Sequence, residues 1–373
     1  MSEARRLLSS IYWLMSAAAV IFVAGAAYAQ TPASTLLVLS KSDRTVAIVD
    51  PETLQVLVRI ASGPDPHEII ASDDGKLAYI SNYGGSDSDL HTISVVDLVA
   101  QKALPAIDLG ALRSTHGLDF AGGKLYFTAE TNKVIGRYDP ATQRVDWVLG
   151  TGQDRTHMIA VSKSLDQIVT SNVSSGTISI IEHAAQRSGG FTPPPGGPAG
   201  SSPVGGPPPG SPPGGPRMTW EVTNVSAGNG VEGFDVSPDG KEIWAANARD
   251  GTVTIIDVGR KKATQTIPIP VKGANRLKFT PDGKRVLISG LGAGHDAGGI
   301  SLVVMDASSR KEVKQLSLGG GAAGVLITPD GSRAFVAVST NDKVAVVDLK
   351  TLSVVGEIAP GKQPDGLAWA VHK

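Results

Sequence analysis

A short apolar run that ends in an acidic residue occurs seven times along this chain of 373 residues. The seven copies are TVAIVD (45–50), TISVVD (92–97), VIGRYD (134–139), TISIIE (177–182), TVTIID (252–257), SLVVMD (301–306) and KVAVVD (343–348). Each belongs to a unit of about 40 to 45 residues with four runs rich in Val, Ile and Thr, separated by turn residues. No interval has the three-to-four-residue spacing of a helix. The repeat therefore predicts an all-β, seven-bladed β-propeller with four antiparallel strands in each blade.

The repeat region begins and ends inside a unit. It begins with TLLVLS (35–40), which matches a second strand, and ends with PDGLAWAV (364–371), which matches a first strand. We therefore expect the N- and C-terminal strands to share one blade and close the ring. The predicted propeller is a single domain over residues 30–373.

Several motifs in these units resemble one known repeat. YISN (79–82), IVTSN (168–172), WAAN (244–247), the TVTIID-type run and the PDG turns resemble the YVTN-type β-propeller repeat. The resemblance covers Thr35 to Val371 and is specific for fold. It implies similarity to lactonase-like propellers, whose relatives are often periplasmic or secreted.

Residues 1–29 have the order of an export signal. Arg5 and Arg6 precede a long apolar stretch, which is followed by a small-residue A-x-A site at 27–29. We expect cleavage there and a periplasmic or secreted protein that is no longer attached to a membrane. An uncleaved membrane anchor is the alternative.

One unit is interrupted by a Pro/Gly-rich insertion, residues 184–217. It holds 11 of the 24 prolines in the chain, a composition that neither pairs in a sheet nor buries a core. We expect a disordered, partly polyproline-II loop on the propeller face opposite the histidines described below. A docking segment for another protein or for cell wall is the alternative.

The amino-acid composition excludes several classes of function. The chain has no cysteine, which excludes disulfides, thiolate metal ligands, covalently attached c-type haem and a cysteine nucleophile. Its formal net charge is −1, so no broad basic field attracts nucleic acid. We expect a monomer with no nucleic-acid partner, acting on a small molecule or a periplasmic protein.

One position in each unit falls where the first strand starts, at one mouth of the central channel. Alignment on the apolar alternation gives His67, His116, His157, Glu232, Asn275, Ala323 and Asp365 at this position. Loops between second and third strands lie on the same face and add His91, His295 and Asp296. Histidine therefore recurs in three consecutive blades.

This ring leads to the hypothesis of a metal site. His67, His116 and His157 have the nitrogen donors that copper and zinc prefer. Possible further ligands or supporting residues are Glu232 beside them, Asp365 across the ring, His91 and His295. Whether such an ion would be redox-active, hydrolytic or structural is left open by the sequence.

Three other readings use the same ring. In a lactonase-like acid/base enzyme, His157, Glu232 and Arg276 are the catalytic candidates, and Arg155 is placed to hold a carboxylate. Arg276 follows the ring position by one residue, so its side chain could point away from the mouth. In a binding scaffold no chemistry occurs, and in a purely structural reading the histidines fill space between blades.

Overall fold

The computed structural model describes residues 32–84, 90–185, 218–292 and 299–373. These residues form seven sheets of four antiparallel strands, which confirms the predicted propeller. Along the described ranges the single helical element is a 3-10 turn at Ser339–Asn341. No helix in those ranges is long and apolar enough to cross a membrane. The expected signal sequence at 1–29 lies outside the described residues.

The blades follow one another along the chain, and blades 2 to 7 each begin at the innermost strand, whereas the innermost strand of blade 1 is β28. Blade 1 contains β28 (Pro364–Val371), β1 (Ser34–Ser40), β2 (Thr45–Val49) and β3 (Val56–Ala61); blade 2 contains β4 (Pro66–Ala71), β5 (Leu77–Asn82), β6 (Thr92–Asp97) and β7 (Lys102–Asp108). Blade 3 contains β8 (Thr115–Ala121), β9 (Lys124–Ala129), β10 (Val134–Asp139) and β11 (Arg144–Gly150); blade 4 contains β12 (Thr156–Val161), β13 (Gln167–Asn172), β14 (Thr177–Ala185) and β15 (Met218–Ser226). Blade 5 contains β16 (Val231–Val236), β17 (Glu242–Asn247), β18 (Thr252–Asp257) and β19 (Lys262–Pro268); blade 6 contains β20 (Ala274–Phe279), β21 (Arg285–Gly290), β22 (Leu302–Asp306) and β23 (Glu312–Leu316). Blade 7 contains β24 (Val325–Ile327), β25 (Arg333–Val338), β26 (Lys343–Asp348) and β27 (Ser353–Ile358).

Blade 1 joins the two ends of the propeller. β28 pairs antiparallel with β1, and Thr35 lies opposite Ala370. The predicted closure by a shared blade is therefore confirmed. The Pro/Gly-rich insertion begins later than expected, because β14 continues through Ala185, and its residues 186–217 lie outside the described part of the chain.

The core lies between neighbouring blades. Middle strands such as β17 are buried on both faces, whereas outer strands such as β11 expose alternate residues. Between blades 5 and 6, the buried Trp244 ring packs edge-on against Phe279 with 5.7 Å between ring centroids. Burial of both faces explains why the middle strands read as continuous apolar runs.

A β-bulge shapes the innermost strands at the mouth. In blade 2, Pro66 pairs with Asn82 but Ile69 pairs with Ile80, so two residues lie opposite Ser81. The same shift occurs in β8, β12, β16 and β20. Such a bulge bends the strand and re-aims its side chains. The ring residue is the first of the two residues that lie opposite a single partner in each case.

Hydroxyl groups fix the bulges to the next blade. Thr128 Oγ1 accepts a hydrogen bond from the backbone N–H of Gly117 and donates one to the carbonyl oxygen of His157, both 2.9 Å long. Ser171 Oγ likewise donates to the carbonyl oxygen of Glu232 at 2.6 Å. Each hydroxyl therefore positions the backbone of a ring residue in the following blade.

Close approach between the innermost strands depends on glycine. A Cβ atom on Gly117 would lie 2.4 Å from the carbonyl oxygen of His157, and one on Gly233 would lie 2.5 Å from that of Asn275. Real Cβ atoms do not approach backbone atoms so closely. Glycine at these sites lets successive blades pack tightly enough to bring their ring residues together.

Candidate functional site

The described ring residues converge on one channel mouth. Three histidine rings form a continuous row there: the centroids of His67 and His116 are 5.0 Å apart, and those of His116 and His157 are 3.6 Å apart and stacked. Tyr83 closes the row on one side, with centroids 4.8 Å from His67 and 5.2 Å from His116. His116 and His157 are almost fully buried, while His67 is partly exposed.

A chain of hydrogen bonds crosses four blades at this mouth. His157 Nδ1 bonds to Oε1 of Glu130, and its Nε2 lies 2.9 Å from Oε2 of Glu232. The other oxygen of Glu130 accepts a 2.6 Å hydrogen bond from the hydroxyl of Tyr83. We name the set Tyr83, Glu130, His157 and Glu232 the proton relay, because titratable groups are in direct contact along its whole length.

The two stacked histidines have pKa values that are shifted in opposite directions. Burial lowers the pKa of His157, but its hydrogen bonds to Glu130 and Glu232 outweigh burial, and the net shift is upward from 6.5. Burial, followed by the neighbouring His157 and His67, lowers the pKa of His116 well below 6.5. Protonation is therefore favoured at His157 and disfavoured at His116, so the two stacked rings prefer opposite charge states.

The ends of the relay are also held in defined states. Burial raises the pKa of Glu232, but the hydrogen bond and charge of His157 outweigh it and lower the pKa to about 2. Burial and the nearby Glu130 raise the pKa of Tyr83 to about 12. Glu232 is therefore a carboxylate and Tyr83 a neutral phenol across the physiological range.

Lys41 joins His67 to the ring-closing blade. Its Nζ lies 2.9 Å from Nε2 of His67 and 3.5 Å from Oδ2 of Asp365. Asp365 Oδ2 is 4.0 Å from His67 Nδ1. Asp365 thus lies beside His67, in the neighbouring blade. The expectation that it lies across the ring was wrong, because blade 1 closes the ring directly against blade 2.

Arg155 contacts both carboxylates that hold His157. Its Nε lies 3.5 Å from Glu130 and its NH1 lies 3.7 Å from Glu232. The backbone of Arg155 has φ 58°, a left-handed conformation that costs a residue with a side chain about 1 kcal/mol or more. Blades 5 and 6 place Gly230 and Gly273 at the equivalent position, with φ 68° and 60°. In blade 4 the strained position carries Arg155, and this side chain places a guanidinium at the mouth.

Arg276 forms the floor of the mouth. Its side chain is buried and pairs with Glu68, which belongs to blade 2, on the other side of the channel. Arg276 NH1 also donates to Oδ1 of Asn275 at 3.1 Å. The side chain thus points into the channel and not away from it.

The remaining predicted residues lie elsewhere or outside the described structure. His91 is on the same face, but its Nε2 lies 3.7 Å from Asp108 and its ring takes no part in the row of histidines. His295 and Asp296 lie outside the described residues. Ala323 occupies the ring position of blade 7 and contributes no polar group.

Of the ring nitrogens in the row of histidines, one is free to bind a metal ion. His116 Nδ1 is buried and lacks a hydrogen-bond partner, whereas both nitrogens of His157 are engaged and the Lys41 ammonium adjoins those of His67. Within the described ranges no group of three His, Asp or Glu side chains is arranged to hold a metal. The copper or zinc site stays a prediction.

Sequence reasoning missed Lys41, Tyr83, Glu130 and Glu68. The first three occupy one repeat position, the residue that follows the second strand of blades 1, 2 and 3. The equivalent residues in blades 4 to 7 are Val173, Ala248, Leu291 and Ser339. A comparison of units at this position would have found the same polar specialisation that the ring revealed.

Comparison with known proteins supports the fold and leaves the family open. No family model matches the chain, and no curated protein matches it. A Desulfotomaculum acetoxidans protein of unknown function is similar with TM-score 0.68 and 13% identity, over 91% of this chain and 99% of that one. A Bacteroides uniformis protein provisionally assigned as a 6-phosphogluconolactonase is similar with TM-score 0.65 and 15% identity, over 90% and 99%. Hydrazine synthase of Kuenenia stuttgartiensis is similar with TM-score 0.61 and 16% identity, over 81% and 89%.

Proposed function

We propose that the mouth is the active site of a lactonase-like hydrolase that opens a small cyclic ester. The observation that supports this proposal most directly is the contact of His157 with a carboxylate on each ring nitrogen, beside a neutral His116. Environments that push the pKa values of neighbouring groups apart are typical of acid/base sites. The likeness to a provisionally assigned lactonase is consistent with this chemistry.

In the proposed reaction His157 is the source of the acid proton. A water oxygen bonds to the ester carbonyl carbon, and the bond from that carbon to the ring oxygen breaks. The ring oxygen takes the proton of His157 Nε2 by way of Glu232, which faces the mouth. The low pKa of Glu232 makes it a relay and a poor resting base.

The attacking water loses its proton to a ring nitrogen of His67, the most exposed histidine of the row, after the Lys41 ammonium moves from that nitrogen towards Asp365. Arg155, with N–H groups at the mouth, stabilises the oxyanion that develops on the carbonyl. Exchange with solvent then returns His67 and His157 to their initial states, and the product is a hydroxy acid.

The test measures the ring opening of five- and six-membered lactones by the purified chain, and the acid that is released reports the rate. We expect turnover above the uncatalysed rate, and a fall in kcat of about 100-fold or more in His157→Gln, which keeps hydrogen-bonding atoms but carries no exchangeable charge. His91→Gln, on the same face but outside the relay, is the matched control. Absence of turnover for every lactone, or full activity of a folded His157→Gln, would sink the proposal.

We also propose that the protein is a YVTN-type propeller that works outside the cytoplasm. The support is the signal-like order of residues 1–29 and the repeat motifs. The mass of the mature protein recovered from a periplasmic or culture fraction tests this. We expect a chain that begins at Gln30, and a full-length chain held in the membrane fraction would contradict it.

Metal analysis tests the copper or zinc hypothesis separately. The protein is purified without chelators or a histidine tag, beside a variant in which His67, His116 and His157 are all Ala. Near-stoichiometric metal that disappears in a folded variant supports the hypothesis. No metal in either protein, even after reconstitution, contradicts it.

A further inference from the structure

The cationic groups at the mouth are already paired with acids. Lys41 adjoins Asp365, Arg276 pairs with Glu68, and Arg155 touches two carboxylates. The cations are Lys41, Arg155, Arg276 and the imidazolium of His157; the acids are Asp65, Glu68, Glu130, Glu232 and Asp365. Four cations thus face five acids, and the mouth has no surplus positive charge.

A phosphorylated ligand does not suit such a mouth. A phosphoryl group carries roughly two negative charges and only accepts hydrogen bonds at its oxygens. Binding it would require Lys41 or Arg155 to release a carboxylate that then remains nearby and repels the ligand. Phosphate sites more often present unpaired arginine forks or free backbone N–H groups.

A hydroxyl group suits it well. A hydroxyl donates one hydrogen bond and accepts two, so it can bridge an ammonium or guanidinium and a neighbouring carboxylate without breaking the pair. Lys41 and Asp365 form one such pair, and Arg155 and Glu232 form another. All four side chains are partly exposed. Each pair can therefore receive one hydroxyl.

The side of the mouth formed by blades 5 and 6 carries apolar groups at the residue that follows the second strand. Ala248 and Leu291 stand where blades 1 to 3 carry Lys41, Tyr83 and Glu130, and Leu291 is 40% exposed. Such a surface packs against C–H groups. A ligand with hydroxyls along one edge and C–H groups along the other matches both sides.

We propose that the mouth binds an uncharged, hydroxyl-bearing ring and discriminates against the phosphorylated form of that ring. This inference deepens the proposed hydrolase function by naming its substrate class, an unphosphorylated polyhydroxy lactone. The proposed substrate class differs from the phosphorylated lactone that the name of its Bacteroides uniformis structural neighbour indicates.

Binding tests the inference without turnover. Calorimetry with glucose and glucose 6-phosphate compares one ring with and without the phosphoryl group. We expect the phosphorylated ring to bind at least about 10-fold more weakly at low salt, with a smaller difference at high salt because ions screen the repulsion. Equal or tighter binding of the phosphorylated ring, or no measurable binding of either ring, overturns the inference.

Turnover of glucono-δ-lactone and its 6-phosphate is measured in parallel. If the neutral ring binds but neither lactone is opened, the hydrolase proposal fails and the inferred ligand class stands. If the phosphorylated lactone is opened with the higher kcat/KM, the hydrolase stands and the inferred class fails.

Charge pairing itself is tested by Asp365→Asn. This change removes the carboxylate from Lys41 and keeps the shape of the side chain. We expect the preference for glucose over glucose 6-phosphate to fall by about 5-fold or more. Asp108→Asn, which alters the exposed partner of His91, is the matched control and should leave the preference unchanged. An unchanged preference in Asp365→Asn contradicts the charge-pairing argument.

Discussion

Blades 1 to 4 and blades 5 to 7 share a backbone design but present different surfaces to the mouth. After the second strand, blades 1 to 3 carry Lys41, Tyr83 and Glu130, whereas blades 5 and 6 carry Ala248 and Leu291. Features that fix the ring, such as the bulges, recur in both halves. The difference teaches that features which shape the ring recur in blades of both halves, while positions that only face the channel are free to specialise.

The strongest test of this comparison replaces a specialised residue by its counterpart. Glu130→Val introduces the residue that blade 4 has at this position, Val173. It leaves the buried His157 with a single carboxylate and the Tyr83 hydroxyl without its acceptor. We expect the free energy of unfolding, measured in urea at pH 7, to fall by about 3 kcal/mol.

The double variant Glu130→Val with His157→Val is the control for that result. It removes the buried charge together with its partner, so we expect it to recover part of the stability lost in the single variant. A single variant as stable as the wild type would mean that the polar residue at this position contributes nothing to the stability of the specialised blades.

A second test concerns the design that both halves share. Gly117→Ala and Gly233→Ala each place a Cβ atom within 2.5 Å of a carbonyl oxygen in the next blade. We expect both to lower the free energy of unfolding by about 1 to 3 kcal/mol, because the neighbouring strands must separate. If one substitution proves harmless, the spacing of the innermost strands is not common to the two halves.

The third test uses the dependence of stability on pH. His116 is buried and neutral in the folded state but binds a proton near pH 6.5 when unfolded, so the folded state loses stability as pH falls below about 6.5. One such group contributes a slope of up to about 1.4 kcal/mol per pH unit. His116→Asn, which introduces the ring residue of blade 6, should flatten the curve of unfolding free energy between pH 7 and 5. His91→Asn should not, and equal slopes for His116→Asn and wild type would contradict the assignment.

The smallest expected effect concerns the strained backbone of Arg155. Arg155→Gly adopts the residue that blades 5 and 6 have there, while Arg155→Ala removes the same side-chain contacts but keeps the strain. We expect the Gly variant to be more stable than the Ala variant by about 0.5 to 1 kcal/mol, with both impaired in lactone turnover. An Ala variant as stable as the Gly variant would show that the left-handed conformation carries no cost here.

Most of the fold could be predicted from the sequence, because each blade repeats the same alternation and turn residues. The convergence of His67, His116 and His157 was also predictable, since one repeat position places all three. Glu130 was missed because it follows a second strand, outside the repeat position that carries the three histidines. The opposite pKa shifts of His116 and His157 depend on burial and hydrogen-bond partners in adjacent blades, which no single unit encodes.

Ring closure also determines when, during synthesis of the chain, the site can form. Among the described strands, Lys41 follows β1, the first to be translated, and Asp365 belongs to β28, the last. Their ion pair at the mouth cannot form until the ribosome has released nearly the whole propeller. A chain cut short before β28 would lack the pair and would leave β1 unpaired on its inner edge, exposed to other chains. The mouth is therefore assembled by the same event that protects the protein from aggregation.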